Sequence, residues 1–261
     1  MDFLPRKLQY FLILIPIILF LWLGGAFTLL VWKGDTIYLP ENSKNLTYKV
    51  PIDTSLVKNK FGEKIEILTT SNNKSNQAIF LYLHGNVGRI PRIIEDLSQF
   101  GMVISPAYPG FSGSEGKPST ERLYDTVDTT FQWLISFGIT PNQVTVIGHS
   151  MGGAVGVYAA SEYPEISKLI LVSTFYSIQS MCEAQYTIFC ALSGNVLNSA
   201  KIAPSIKTVV RQFHHPKDQT VPYEQGKRLF QLIGSNDKKF SDLEISDSDY
   251  HSGFSVKQLL Q

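Results

Sequence analysis

Six β-rich runs alternate with amphipathic stretches along most of this chain, and no other feature narrows its folding more. The runs are "KIEILTT" (64–70), "AIFLYLHG" (78–85), "MVISPAYPG" (102–110), "QVTVIGHS" (143–150), "KLILVST" (168–174) and "TVVRQFHHP" (208–216). The amphipathic stretches lie near 89–100, 119–138, 151–163 and 222–234. Strands that are apolar almost throughout need cover on both faces, and helices between successive strands supply it. The expectation is an α/β domain, doubly wound around a mostly parallel central sheet with helices on both faces. "TVVRQFHHP" is less apolar than a central strand and is placed toward an edge. A chain of 261 residues, 44% of them hydrophobic, has enough material for one such core.

A different kind of run precedes the domain. From Tyr10 to Trp32 the chain is uncharged, long enough to cross a hydrocarbon core of about 30 Å as a helix. Arg6 and Lys7 ahead of it favour a cytoplasmic N-terminus, with Lys33 weakening the asymmetry, and so place the rest of the chain on the exported side: periplasmic, extracellular or lumenal. The competing expectation is a cleaved signal peptide ending at Gly24–Ala26, but the apolar run continues past the usual length of about 7–15 residues. Residues 1–33 are thus read as the anchor, 34–62 as a linker with one edge strand, and 63–261 as the α/β domain. The aromatic-rich connection at 175–207 is too long for a simple crossover and is expected to form a lid, or else a helix pair on the sheet edge. It contains Cys182 and Cys190, which an oxidising compartment would allow to pair, the alternative being two buried thiols. A net charge of +1 without any Lys/Arg block argues against nucleic acid as a partner. The sequence does not speak to oligomeric state.

The chemistry starts at "GHSMG", Gly148 to Gly152, where "QVTVI" supplies a strand and "MGGAVGVYAASEY" a helix. A serine between small residues at such a junction is presented by a tight turn, with its hydroxyl exposed as a nucleophile. Serine needs a positioned base, and the base an orienting carboxylate. Of the five histidines, His84, His149, His214 and His215 lie in or beside strands, which leaves His251. Asp218 follows a strand at its carboxyl end, where open α/β sheets build their sites. Asp249, two residues before His251, is the competing acid. For the developing oxyanion, the backbone N–H of Met151 follows from the turn itself, and Asn86 in "HGNVG" is chosen as the second donor. No metal-ligand cluster or dinucleotide fingerprint is present, so no cofactor or metal is expected.

"LYLHGNVG", "YPGFSGSEGKPS", "GHSMGGAV", "KDQTVP" and "YHSGF", in this order, resemble the α/β-hydrolase superfamily, and within it the single-domain serine hydrolases of the membrane-associated abhydrolase-domain group. The resemblance covers about Lys64 to Phe254. It implies Ser150 as nucleophile, Asp218 as acid, His251 as base, and Asn86 with Met151 as oxyanion donors. It departs at "FHHPKD", where relatives carry His-Gly, at "DSDYH", where they often carry glycines, and at Pro109, where many carry arginine. The expected function is a membrane-anchored serine hydrolase cleaving a carboxylic ester or thioester of a small-molecule or lipid acyl substrate. A serine peptidase of the same fold and a non-catalytic binding protein are the alternatives.

Overall fold

The computed structural model describes residues 14–20, 22, 38–40, 45–70, 78–181, 196–245 and 248–261. Among them, eight strands form one sheet: β1 (Ile52–Lys58), β2 (Lys64–Thr70), β3 (Ala78–Leu83), β4 (Gly101–Pro106), β5 (Val144–His149), β6 (Lys168–Val172), β7 (Val210–His214) and β8 (Lys238–Asp242). Their order is β1-β2-β4-β3-β5-β6-β7-β8. β2 runs antiparallel to β1 and β4, and every pairing from β4 to β8 is parallel. The sheet therefore begins at Ile52, inside the segment read as linker with an edge strand.

Side chains alternate across each strand, and both faces are buried. Leu81, Leu83, Val144, Val146, Leu169 and Leu171 point into one core cluster. Phe80, Tyr82, Ile147, Ile170 and Val172 point into the other. The first cluster is covered by α2 (Thr120–Ser136), α3 (Met151–Glu162) and α5 (Tyr223–Leu232), through Leu123, Val127 and Phe131, through Ala154 and Val155, and through Leu229. The second is covered by α1 (Pro91–Ser98) and α6 (Val256–Leu260), through Ile93, Ile94 and Leu97 and through Val256 and Leu259. A short α4 (Ser199–Ile202) lies ahead of β7.

One strand was not expected. β8, "KKFSD", carries charge and is only half-buried, and it is held by a five-residue parallel register with β7. It forms the sheet's edge, with Lys238, Lys239 and Asp242 discouraging further pairing. β7 consequently sits one strand in from that edge.

At the N-terminus, residues 14–20 and 22 are helical, with Leu14, Ile18, Phe20 and Trp22 exposed. Among the described residues no helix is long and apolar enough to cross a membrane. Most of the expected transmembrane run over 10–32 lies outside the described residues. So do Cys182, Cys190 and the middle of the connection read as a lid.

Candidate active site

β5 is a central strand, and it delivers Ser150 to the carboxyl end of the parallel sheet. Ser150 has φ 55° and ψ −119°, a conformation that non-glycine residues avoid. The turn is over-determined by hydrogen bonds. Ser150 N–H donates to Val172 O at 2.9 Å, while its own carbonyl accepts from Gly153 N–H at 3.0 Å and from the Thr174 hydroxyl at 2.9 Å. The glycines on either side are required by contact: a Cβ at Gly148 would strike the Gly152 carbonyl oxygen, and one at Gly152 would strike that of Leu83 in β3. Backbone strain at a site persists when its surroundings enforce it in this way.

Two strands along, β7 ends at His214, and the turn after it presents Asp218 at the same end of the sheet. Asp218 Oδ1 accepts from Thr220 N–H and Val221 N–H, both at 2.9 Å, so one oxygen anchors the turn ahead of α5. Oδ2 receives His251 Nδ1 at 2.8 Å, and His214 Nε2 lies 3.4 Å from the same oxygen. Burial alone would raise the Asp218 carboxyl, but the bonds from His214 and His251 and the charge of His251 outweigh it and hold the group well below the usual carboxylate range. An ionised carboxylate only accepts, so His251 Nδ1 carries the hydrogen, and in the neutral form of the ring the lone pair lies on Nε2. That is the tautomer a general base requires.

The segment between β8 and α6 brings His251 to this end of the sheet. Its carbonyl accepts from His149 Nε2 at 3.1 Å, and the two imidazole rings stand 5.1 Å apart. Because His149 immediately precedes Ser150, this bond sets the backbone of His251 against the strand that ends in the serine. Burial, and then the neighbouring charge of His251, push His149 down to about 3, so it remains a neutral donor. Among the described residues no hydrogen bond joins Ser150 to His251, and such bonds commonly tighten only when substrate is bound.

The "HGNVG" turn closes on itself through Gly88 N–H to Gly85 O at 3.1 Å. Gly85 lies against the serine, where a Cβ would come within 3.2 Å of Ser150 Cβ. Asn86 sits at this turn, and its side-chain Oδ1 accepts from Leu39 N–H at 3.0 Å, which ties the turn to residues 38–40. Met151 is the first residue of α3, one of the four whose N–H has no acceptor inside a helix. The structure thus joins Asp218 to His251, sets His251 against the strand carrying Ser150, and places the Asn86 turn beside Ser150.

Sequence reasoning missed two contributors and the role of a third. His149 was set aside as lying in or beside a strand, yet its Nε2 donates to the His251 carbonyl. His214 was read as a strand residue, yet its ring also reaches Asp218; its spacing four residues before the acid was the available signal. Asp249, the competing acid, accepts through Oδ1 from the N–H groups of His251 (3.2 Å) and Ser252 (2.9 Å). It shapes the turn that carries His251, while the imidazole bonds to Asp218.

A doubly wound sheet with a serine on a strained strand-to-helix turn defines the α/β-hydrolase class. Residues 74–212 match the model of the family described as serine aminopeptidase, S33, and the chain belongs to that family and is a hydrolase. Among similar proteins, an uncharacterized protein of Acanthamoeba polyphaga mimivirus is 28% identical over 240 residues, covering 82% of this chain and 78% of its own length. Protein bem46 of Schizosaccharomyces pombe is 31% identical over 186 residues, 67% of this chain and 62% of its own. The lysophosphatidylserine lipase ABHD12 of Danio rerio is 27% identical over 189 residues, 62% of this chain and 49% of its own. The chain thus spans between 49% and 78% of the length of these relatives. An esterase of Pyrococcus furiosus superposes with a TM-score of 0.63 at 15% identity, over 81% of this chain and 88% of that one, a likeness of fold.

Proposed function

We propose that this hydrolase is anchored in a membrane by residues 10–32 and cleaves a carboxylic ester or thioester through an acyl-enzyme. The observation that carries the reading is the 2.8 Å bond from His251 Nδ1 to Asp218 at the sheet end where Ser150 is presented. In this reading Ser150 Oγ attacks the substrate carbonyl and His251 Nε2 takes its proton. The N–H groups of Met151 and Asn86 receive the negative charge on the former carbonyl oxygen. Collapse of the tetrahedral intermediate expels the alcohol or thiol, which His251 protonates. Water, deprotonated by the same imidazole, then attacks the ester of Ser150 and releases the acid. Asp218 keeps the imidazole in its working tautomer throughout.

The name of the lysophosphatidylserine lipase relative supports a lipid ester as substrate, and the apolar run at 10–32 supports a site held near a bilayer, on its exported side. The connection at 175–207 is then the lid, with Cys182 and Cys190 inside it. The family's description favours a second reading, cleavage of an amide at a peptide N-terminus, which uses the same three side chains. One experiment addresses both. The detergent-solubilised protein is labelled with a fluorophosphonate and then offered acyl esters, acyl thioesters and aminoacyl amides. Labelling is expected in the wild type and absent in Ser150→Ala, with esters or thioesters turned over faster than amides. Equal labelling of Ser150→Ala would end the reading, and preference for amides would replace it with the peptidase.

A further inference from the structure

Arg92 lies in the first turn of α1, four residues after the turn that holds Asn86. Its Nη2 donates to Ser252 O at 2.6 Å and its Nη1 to Phe254 O at 3.0 Å. Both acceptors belong to the chain immediately after His251. A guanidinium is a rigid planar fork, so two acceptors bound to it are fixed in spacing as well as in distance. Asp96, one turn further along the helix, stands 3.6 Å from Nη1 and helps aim the group.

The remaining holds on this loop come from elsewhere. His149 binds the His251 carbonyl, and Phe254 is fully buried, its ring 5.3 Å from that of His149. Within the loop Asp249 binds the N–H groups of His251, Ser252 and Gly253, so without Arg92 the turn would keep its internal bonds but lose the two that fix its position against α1. α1 also leads directly out of the Gly85–Gly88 turn. One helix therefore connects the turn expected to stabilise the oxyanion with the loop expected to carry the base, the two groups that must be placed on one reacting carbonyl.

We infer that Arg92 is a positioning residue that fixes the His251 imidazole relative to Ser150 and the Asn86 turn; this rests on the reading of Ser150, Asp218 and His251 as a triad. Misplacing a catalytic group by about 1 Å costs on the order of a hundredfold in rate.

The test uses the full chain in detergent, as wild type, Arg92→Met, which keeps the stem and removes both donors, and Arg92→Lys, which restores a donor. Turnover of p-nitrophenyl butyrate is normalised to sites titrated with the fluorophosphonate, and amide exchange is followed over residues 249–255. In Arg92→Met, kcat per titrated site is expected to fall about 10- to 100-fold with KM within about twofold, the mark of a group that acts in the transition state. Arg92→Lys should recover part of the loss, and exchange over the loop should rise in Arg92→Met. A purely structural arginine would give fewer titratable sites that each turn over at the wild-type rate, and that result overturns the inference, as does unchanged loop exchange. Failure of the triad reading itself shows separately, as a wild type that does not label or a Ser150→Ala that does.

Discussion

Ser119 and Ser150 both stand at the start of a helix, and they are used in opposite ways. Ser119 has φ −153°, and its hydroxyl accepts from Arg122 N–H at 3.3 Å, the ordinary work of a capping serine. Ser150 has φ 55°, and its side chain caps nothing. The two serines differ in backbone conformation, φ −153° and ψ 160° against φ 55° and ψ −119°, and the first alone sets its hydroxyl on a helix N–H. Asp218 shows the same economy, with one oxygen on two backbone N–H groups and the other on imidazole. Asp218→Asn keeps the shape but can present a donor to His251 Nδ1, which then favours the wrong tautomer. The expected loss in kcat is about 10⁴-fold with labelling by fluorophosphonate slowed in parallel. A second consequence concerns stability. The folded carboxyl is depressed below its unfolded value, so its contribution is complete above the unfolded pKa and is lost as pH falls through the folded one. Thermal melts of the two proteins should differ most at neutral pH and converge as pH falls from about 5 towards 2. A gap that widens with acid would contradict the assignment.

At the scale of elements, the turn that carries His251 is built by Asp249, through its bonds to the N–H groups of His251 and Ser252 and through Gly253 N–H to Asp249 O at 2.8 Å. This is a local Asx turn, and what it needs from residue 249 is an acceptor, not a charge. Asp249→Asn is therefore expected to stay within about threefold of wild-type kcat, while Asp249→Ala, which loses two bonds worth about 1 kcal/mol each, should fall by up to roughly thirtyfold. If Asp249→Asn were as crippled as Asp218→Asn, the two carboxylates would have to exchange roles. The contrast also shows what the sequence made legible. Strand, turn and helix around Ser150 could be read because apolar runs, two glycines and an alanine-rich segment are local signals. The pairing of Asp218 with His251 could be read because the order of site residues along the chain follows the order of the strands. β8 could not: "KKFSD" has no apolar face and becomes a strand only because β7 offers it an edge. Nor could the stacking of His215 on Tyr250, ring centroids 4.5 Å apart, which joins the turn of Asp218 to that of His251 across more than thirty residues. That contact packs "FHHPKD" against "DSDYH", a role for both stretches that no single-residue reading reveals.

Across the whole molecule, the two core layers close over polar groups at the end of the sheet where the site stands, and two of these are histidines that cannot take up a proton cheaply. His84 is completely buried, its ring 4.2 Å from that of Tyr108 and 5.2 Å from that of Phe111. Its Nδ1 donates to Gly85 O at 2.7 Å and its Nε2 accepts from Tyr108 N–H at 3.4 Å, a bonding pattern open only to the neutral ring. Burial pushes it down to about 3, as it does His149. A histidine depressed in the folded state costs nothing above its unfolded pKa of about 6.5, where both states are neutral. Below that, the unfolded chain binds a proton that the native fold refuses, and stability falls with pH. His84 and His149 together should make the unfolding free energy decline as pH drops below about 6.5, with a slope approaching two protons, each worth about 1.4 kcal/mol per pH unit. Most carboxylates titrate lower, so urea midpoints taken in steps between pH 7 and pH 5 isolate this effect. His84→Asn, although less stable at every pH, should show a slope smaller by about one proton, because one of the two groups has been removed. A wild-type midpoint that holds level across this interval would mean that one or both rings accept a proton inside the fold. The pattern of bonds at His84, with one nitrogen donating and the other accepting, would then have to rearrange beside the turn that adjoins Ser150, and acid would alter the site before it unfolds the protein.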